Sequence, residues 1–225
     1  MKQLLDRIEI LPDAPATHSV IWLHGLGADG QDFASLQPML GLDALPVRWI
    51  FPHAPVQPVT INGGMRMRAW YDIVDLDFDR REDERGVLES HEAVAHLIAH
   101  ERSQGVAAEN IVLAGFSQGG AIALHLGLRY PERLAGVMAL STYMVRGETL
   151  ANEVHEANRK TPVFQGHGTF DPMVPIQRGD LARRQMEELG YGIEWHAYPI
   201  QHQVSPDEIE HISAWLRPLL TASEG

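Results

Sequence analysis

The sequence predicts an α/β fold with a mostly parallel central sheet that is covered by helices on both faces. Short apolar runs rich in Val and Ile alternate with longer segments of helical period, and this alternation is typical of parallel strands joined by crossover helices. The run Ile111–Ala114 is apolar throughout, as expected for a strand buried on both faces. With 225 residues, we expect one domain over residues 1–225. Its active site should lie at the carboxyl ends of the strands.

Apolar pattern and helix breakers place the individual elements. The predicted strands are Leu4–Leu11, which is the weakest, Ser19–His24, Val47–Phe51, Ile111–Phe116, Leu134–Leu140, Pro162–Gln165 and Gly192–Tyr198. The predicted helices are Gln31–Leu40, Arg85–Ser103, Gly119–Tyr130, Glu148–Asn158, Ile176–Leu189 and Pro206–Leu220. Gly105 and Gly190 follow two of these helices, where a residue that tolerates positive φ ends a helix at little cost.

The segment Pro52–Asp72 interrupts the alternation. It is rich in Pro and Gly, and no regular structure is predicted for it. A connection this long is often a binding loop, and its apolar cluster Met65, Met67, Trp70 and Tyr71 is a candidate surface for the acyl chain. Within this cluster Met65 and Trp70 are predicted to contact substrate, together with Met173 further along the chain. A surface insertion and a homodimer interface are the alternatives.

Composition excludes several classes of function. The formal charge of -12 makes phosphate-rich partners unfavourable, so we expect no nucleic acid partner. Cysteine is absent, which removes thiolate nucleophiles and disulfides. No apolar run approaches the roughly 18 residues that a membrane span needs, and charges interrupt the apolar residues at the amino terminus. We therefore expect a cytoplasmic protein without stable membrane insertion, whose partner is a small ester or acylated substrate.

The most informative motif is a serine between glycines. Gly115-Phe-Ser117-Gln-Gly119 fits the pattern G-x-S-x-G, and it lies between a predicted strand and a predicted helix, the context of a nucleophile elbow. The glycines allow a sharp turn that exposes the serine hydroxyl at the helix N-terminus, where developing negative charge is stabilised. The alternative is a serine N-cap beside a glycine turn.

A serine nucleophile needs a base and a carboxylate that orients the base, and in this architecture they follow in the order Ser, Asp, His. Asp171 lies in a glycine-rich loop just after a predicted strand, and His202 lies between the last predicted strand and helix. Of the twelve histidines, the others precede the serine, lie within helices or strands, or, like His167, break this order. Asp180 is a weaker candidate for the carboxylate because it falls within a helix, and Asp171 could instead form a turn before proline.

Glycine-rich and histidine-rich motifs raise further possibilities. The backbone N–H groups of Leu26, after the first long strand, and of Gln118 are expected to form an oxyanion hole. The run Gly25–Gly30 also matches the dinucleotide-binding pattern G-x-G-x-x-G, but no acidic residue ends a second strand about 20 residues later. The run His91–His96 is similar to the zinc motif H-E-x-x-H. Its two histidines are five residues apart, however, which separates them by about 140° on a helix, so they cannot bind one metal ion together. We expect neither a cofactor nor a metal.

Together these residues resemble the phospholipase/carboxylesterase family of α/β-hydrolases, which includes bacterial carboxylesterases and acyl-protein thioesterases. The resemblance implies the α/β-hydrolase fold without a separate cap domain, the triad Ser117, Asp171 and His202, and oxyanion donors at Leu26 and Gln118. Gln201 and Met173 depart from the family pattern, which usually has Gly and Val there. The stretches that carry the resemblance are Leu23–Gly30, Phe51–Pro55, Ile61–Gly64, Arg68–Asp72, Gly115–Gly120, Leu140–Tyr143, His167–Asp171 and His202–Pro206.

The expected function is a serine carboxylesterase that hydrolyses short- to medium-chain carboxylic esters through an acyl-enzyme. An acyl-protein or acyl-CoA thioesterase, or a lysophospholipase, is an alternative because the same triad attacks thioesters. A different class of alternative is an inert ligand-binding protein on a hydrolase fold.

Overall fold

A seven-stranded sheet forms the centre of the computed structural model of this chain, which describes residues 4–75 and 82–221. The strands are β1 (Arg7–Ile10), β2 (His18–Leu23), β3 (Val47–Pro52), β4 (Val56–Val59), β5 (Met65–Arg68), β6 (Ile111–Phe116), β7 (Gly136–Leu140), β8 (Val163–Gly168) and β9 (Ile193–Tyr198). The order in the central sheet is β1-β3-β2-β6-β7-β8-β9. Adjacent strands of this sheet pair in parallel, except that β1 pairs antiparallel with β3.

Helices pack on both faces of this sheet. They are α1 (Gly30–Ala34), α2 (Glu84–Ser103), α3 (Gln118–Gly127), α4 (Leu150–Glu153), α5 (Ile176–Glu188) and α6 (Pro206–Leu219). Strand residues alternate between two cores, so that Ile21 packs with residues of α2, α3 and α5, whereas Trp22 packs with residues of α1 and α6. The predicted mostly parallel sheet with helices on both faces is therefore confirmed.

Two predicted helices are wrong in extent. The segment Gln31–Leu40 divides into α1 and a 3-10 helix, Gln37–Leu40, because Pro38 has no N–H to continue an α-helix. The segment Glu148–Asn158 contains only α4 between two short 3-10 helices. There the side chain of Asn158 bonds to the backbone of Tyr130, Glu132 and Leu134, so contacts distant in sequence fix an irregular path.

The prediction that the segment Pro52–Asp72 has no regular structure is wrong. It contains the antiparallel hairpin β4–β5, in which Val56 pairs with Arg68 and Val59 with Met65. Gly63 and Gly64 near the turn have positive φ values of 66° and 77°, which glycine adopts without strain. The alternation of Met and Arg along residues 65–68 was the available sequence signal for a strand.

Helix α6 begins at an N-cap serine that is followed three residues later by a buried carboxyl group. Ser205 Oγ accepts a hydrogen bond from Glu208 N at 3.2 Å, which is the serine half of the S-x-x-E capping box. The Glu208 side chain is buried, and neither carboxyl oxygen has a hydrogen-bond partner among the described residues. It occupies the space beside Gly166, where a Cβ atom would overlap Oε1. Burial raises the pKa of Glu208 from 4.5 to about 7, and the nearby Ser205 N–H offsets only part of this rise.

We expect Glu208→Gln to remove a pH-dependent loss of stability. Because the folded-state pKa exceeds the ordinary value, the folded protein binds this proton more tightly, so stability is full below pH 4.5 and falls as pH rises through about 7. The fall amounts to at most about 3 kcal/mol. Urea unfolding between about pH 5 and 8 measures it.

The variant should lose less stability than the wild type across this range, whereas Glu210→Gln, an exposed change on the same helix, should follow the wild type. Equal pH dependence in all three proteins would contradict the prediction.

Candidate active site

Ser117 lies on a strained turn between β6 and α3. Its φ of 53° and ψ of -121° are unfavourable for a residue with a Cβ atom. Hydrogen bonds hold this conformation: Ser117 N donates to Leu140 O at 2.8 Å, and the Ser117 carbonyl accepts from Thr142 Oγ1 at 2.6 Å. A Cβ at Gly115 would overlap the Gly119 carbonyl, and one at Gly119 would overlap backbone of β2. Both glycines of the motif are thus required by close backbone packing.

The structure brings together the three residues predicted as a triad. His202 Nε2 lies 2.9 Å from Ser117 Oγ, and His202 Nδ1 lies 2.6 Å from Asp171 Oδ2. The second carboxylate oxygen of Asp171 accepts hydrogen bonds from Met173 N and Val174 N, both at 2.8 Å. The Asp171 side chain has no exposed surface. A buried carboxylate with this orientation holds the imidazole so that Nε2 faces the serine.

The two loops that carry Asp171 and His202 are tied to each other. Thr169 N donates to Tyr198 O at 2.7 Å, and Phe170 N donates to Ile200 O at 3.0 Å. Gly168 allows this approach, because a Cβ there would overlap the carbonyls of residues 200 and 201. With Gln201 in place of the Gly of the family pattern, the loop still brings the His202 ring to Ser117.

Two other histidines lie close to the site without contacting Ser117. His167 is buried, and its Nε2 lies 2.9 Å from Val174 O and 3.8 Å from Asp171 Oδ2. His24 accepts a hydrogen bond from Ala54 N at Nε2, at 3.0 Å, and therefore donates from Nδ1 to Gly25 O, at 2.7 Å. Burial lowers the pKa of both histidines, which favours neutral rings. Neither was predicted to contribute to the site, although His24 directly precedes the glycine-rich turn.

The two residues predicted as oxyanion donors both line the cavity at Ser117. Gln118 is the first residue of α3, where a backbone N–H has no acceptor within the helix. Its side chain is fixed because Oε1 accepts from Trp70 N at 2.8 Å and Nε2 donates to Tyr71 O at 2.7 Å. The turn that contains Leu26 is held by Gly27 N, which donates to Arg68 O at 2.8 Å.

Ser117 opens into a cavity of about 640 Å³, within the range of small-molecule sites. One wall comes from α1 and its surroundings and another from the hairpin and the loop after β8. The side chains that line it are mostly apolar and include Leu26, Phe33, Leu36, Ile61, Met67, Ile73, Phe116, Tyr143, Met173, Val174 and Val204. This composition suits an apolar acyl group.

Two of the three side chains predicted to contact substrate do not line the cavity. Met173 lines the cavity, but Met65 is 65% exposed on the hairpin, and Met67 supplies the wall instead. Residues 65 and 67 lie on the same face of a strand, but they lie at different positions along it, and only Met67 lines the cavity. Trp70 is 1% exposed in the core, where its Nε1 donates to His24 O at 2.8 Å. Its indole therefore contributes to the site indirectly, because it holds the backbone at His24.

Tyr143 and Tyr71 close one side of the cavity. Their hydroxyl groups lie 2.6 Å apart, and Tyr143 lines the cavity itself. Burial raises the pKa of Tyr143 to about 12 and that of Tyr71 well above its ordinary value. Both hydroxyls therefore keep their protons at neutral pH, and this wall is uncharged.

Residues 4–75 and 82–221 contain no group of three or more His, Asp or Glu side chains placed to hold a metal ion. Within the same ranges, no helix is both long enough and apolar enough to cross a membrane. The cytoplasmic location stays a prediction.

The strand–serine–helix turn, the hydrogen-bonded Ser117, His202 and Asp171, and their position at the carboxyl edge of the sheet define the class of protein. It is a serine hydrolase on the α/β-hydrolase fold. The family model described as Phospholipase/Carboxylesterase matches residues 7–220. The chain therefore belongs to the phospholipase/carboxylesterase family, as the sequence motifs predicted, and it acts on ester bonds.

Named relatives include both thioesterases and carboxylesterases. The chain is 40% identical to acyl-protein thioesterase 1 of Gibberella zeae over 216 residues, which cover 91% of each chain. It is 36% identical to carboxylesterase SOBER1 of Arabidopsis thaliana over 208 residues, again 91% of each chain. The crystal structure of SOBER1 superposes with a TM-score of 0.84 and covers 91% of this chain and 99% of the other, at 34% identity. The crystal structure of Zea mays acyl-protein thioesterase 2 gives the same TM-score at 26% identity, covering 96% and 99%.

Proposed function

We propose that this protein hydrolyses short- to medium-chain carboxylic esters through an acyl-enzyme formed on Ser117. The observation that carries the proposal is the His202 ring, which bridges Ser117 Oγ and Asp171 Oδ2 at the floor of an apolar cavity. A serine so placed attacks a carbonyl carbon whose acyl chain lies against apolar walls.

Acylation follows from this geometry. His202 Nε2 takes the proton of Ser117 Oγ as the oxygen bonds to the carbonyl carbon, and Asp171 stabilises the resulting imidazolium. The negative charge on the carbonyl oxygen is assigned to the N–H groups of Leu26 and Gln118, each such donor contributing about 3 kcal/mol. His202 then gives its proton to the leaving oxygen as the carbon–oxygen bond breaks.

Deacylation repeats these steps with water. His202 Nε2 takes a proton from a water molecule that attacks the acyl carbon, and it returns a proton to Ser117 Oγ as the acid is released. The neutral wall formed by Tyr71 and Tyr143 and the apolar side chains around it disfavour a charged acyl group.

Thioester hydrolysis is the second candidate, and the relatives favour it. The relative from Gibberella zeae, at 40% identity, is called acyl-protein thioesterase 1. The triad chemistry is the same, because a thiolate leaving group needs no more help from His202 than an alkoxide. Rates for p-nitrophenyl esters of increasing acyl length, beside thioesters with the same acyl groups, test both candidates. Turnover of neither by the folded protein would overturn the proposal.

We expect Met67→Ala to change the preference among acyl chain lengths, since its side chain forms part of the cavity wall. Each methylene of substrate that loses apolar contact forfeits up to about 0.8 kcal/mol, so kcat/KM for the chain length preferred by the wild type should fall about three- to tenfold. Met65→Ala is the matched control, because Met65 lies two residues away on the same strand and is mostly exposed. Identical chain-length profiles for the two variants would contradict the assignment of this wall.

A further inference from the structure

The cavity contains one charged side chain that the proposed chemistry does not use. Among the described residues that line it, Asp32 is the only Asp, Glu, Lys or Arg. Asp32 is exposed on α1, and its carboxylate has no hydrogen-bond or ion-pair partner in the part of the chain that the structure describes. Its negative charge is therefore available to a molecule in the cavity.

Contacts around His202 place Asp32 on the side of the leaving group. In acyl transfer His202 Nε2 gives its proton to the leaving oxygen or sulfur, so the leaving group must lie next to His202. The His202 ring packs on Phe116 with centroids 4.7 Å apart, and Phe116 packs on Phe33 at 5.6 Å. Phe33 follows Asp32 directly, and both line the cavity. The α1 wall is therefore continuous with the general base.

The acyl group then falls to the opposite wall. That wall contains Ile61, Met67 and Tyr143, and its described residues carry no charge. The cavity is thus divided by charge into an apolar wall for the acyl chain and a wall with one carboxylate for the alcohol or thiol.

We propose that Asp32 selects esters whose alcohol or thiol part is positively charged, such as an amino alcohol or a basic peptide, and disfavours anionic leaving groups such as coenzyme A. This inference rests on the proposed function. The net charge of -12 acts in the same direction at longer range. The carboxylate at the cavity adds a local contribution that a single substitution removes.

Three butyrate esters that differ in the charge of the alcohol test the inference: the choline ester, the uncharged dimethylbutyl ester of similar shape, and the ester of hydroxypropionate. Hydrolysis is followed by acid release, and kcat/KM for each charged ester is divided by that of the uncharged one. In the wild type the choline ratio should exceed the hydroxypropionate ratio. Asp32→Asn should lower the first ratio and raise the second, each about fivefold. Added salt should reduce both differences in the wild type.

Asp13→Asn is the control for net charge. Asp13 is exposed between β1 and β2, at the amino edge of the sheet, where Ile10 pairs with Trp49. Its two ratios should equal those of the wild type. If the wild type, Asp32→Asn and Asp13→Asn all hydrolyse the uncharged ester and give the same choline and hydroxypropionate ratios, the role of Asp32 is overturned. The proposed function would then still stand. No hydrolysis of the uncharged ester by the folded wild type would overturn the proposed function and this inference with it.

Discussion

Replacing Ser117 with alanine is expected to lower kcat by about 10⁵- to 10⁶-fold and to abolish labelling by a fluorophosphonate probe. The physical reason is that Ser117 Oγ is the oxygen that His202 Nε2 contacts, at 2.9 Å, and alanine leaves no atom there to bond to the substrate. The cavity and the oxyanion donors would remain, so some residual hydrolysis by water is expected. Rates on p-nitrophenyl butyrate and mass spectrometry of the labelled peptide measure both effects.

Ser103→Ala is the control for this experiment. Ser103 is exposed on α2, and its hydroxyl donates to the His100 carbonyl of the same helix. This variant should label and hydrolyse as the wild type does. If the folded wild type did not react with the probe, or if Ser117→Ala still reacted at the same rate, the assignment of the nucleophile would be wrong.

Replacing Asp171 with asparagine is expected to lower kcat by about 10⁴-fold. Met173 N and Val174 N both donate to one oxygen of this side chain, and they would hold the asparagine oxygen in that position. The amide NH₂ group would then face His202 Nδ1, where the wild type has a carboxylate oxygen at 2.6 Å. Because NH₂ donates, Nδ1 would have to accept, and the ring proton would move to Nε2. A protonated Nε2 cannot take the proton of Ser117.

Asp180→Asn separates this effect from a general loss of acidic charge. Asp180 lies on α5 and pairs with Arg183 and Arg184, so its amide variant should retain activity within about twofold of the wild type. A small effect of Asp171→Asn, or an equal effect of Asp180→Asn, would show that Asp171 does not orient the base.

The arrangement of the candidate triad was predictable from sequence because each member follows the carboxyl end of a strand in the central sheet. The pattern at Ser117 fixes a strand, a turn and a helix through close glycine packing, and strand ends then select Asp171 and His202 from many Asp and His residues. These are local signals combined with chain order. The structure brings the three side chains together as predicted.

The walls of the cavity were much less predictable. Both Trp70 and Met67 are large apolar residues in one segment, yet one supports the site from the core and the other lines the cavity. The difference depends on the hairpin register and on the bond from Trp70 Nε1 to His24 O, neither of which has a local signature. Asp32 was missed for a similar reason, because its proposed role depends on its being the only Asp, Glu, Lys or Arg among the described residues that line one cavity.

The hairpin has a consequence for attempts to engineer this enzyme. The strand that supplies Met67 also supplies Arg68 O, which holds the turn containing Leu26, and the residues that follow it bond to the side chain of Gln118. The part of the chain proposed to contact the acyl group is therefore hydrogen-bonded to Gly27, the neighbour of Leu26, and to the side chain of Gln118. Directed evolution that reshapes the hairpin to accept new substrates should therefore often lower kcat, and compensating changes should be sought at residues 24–30.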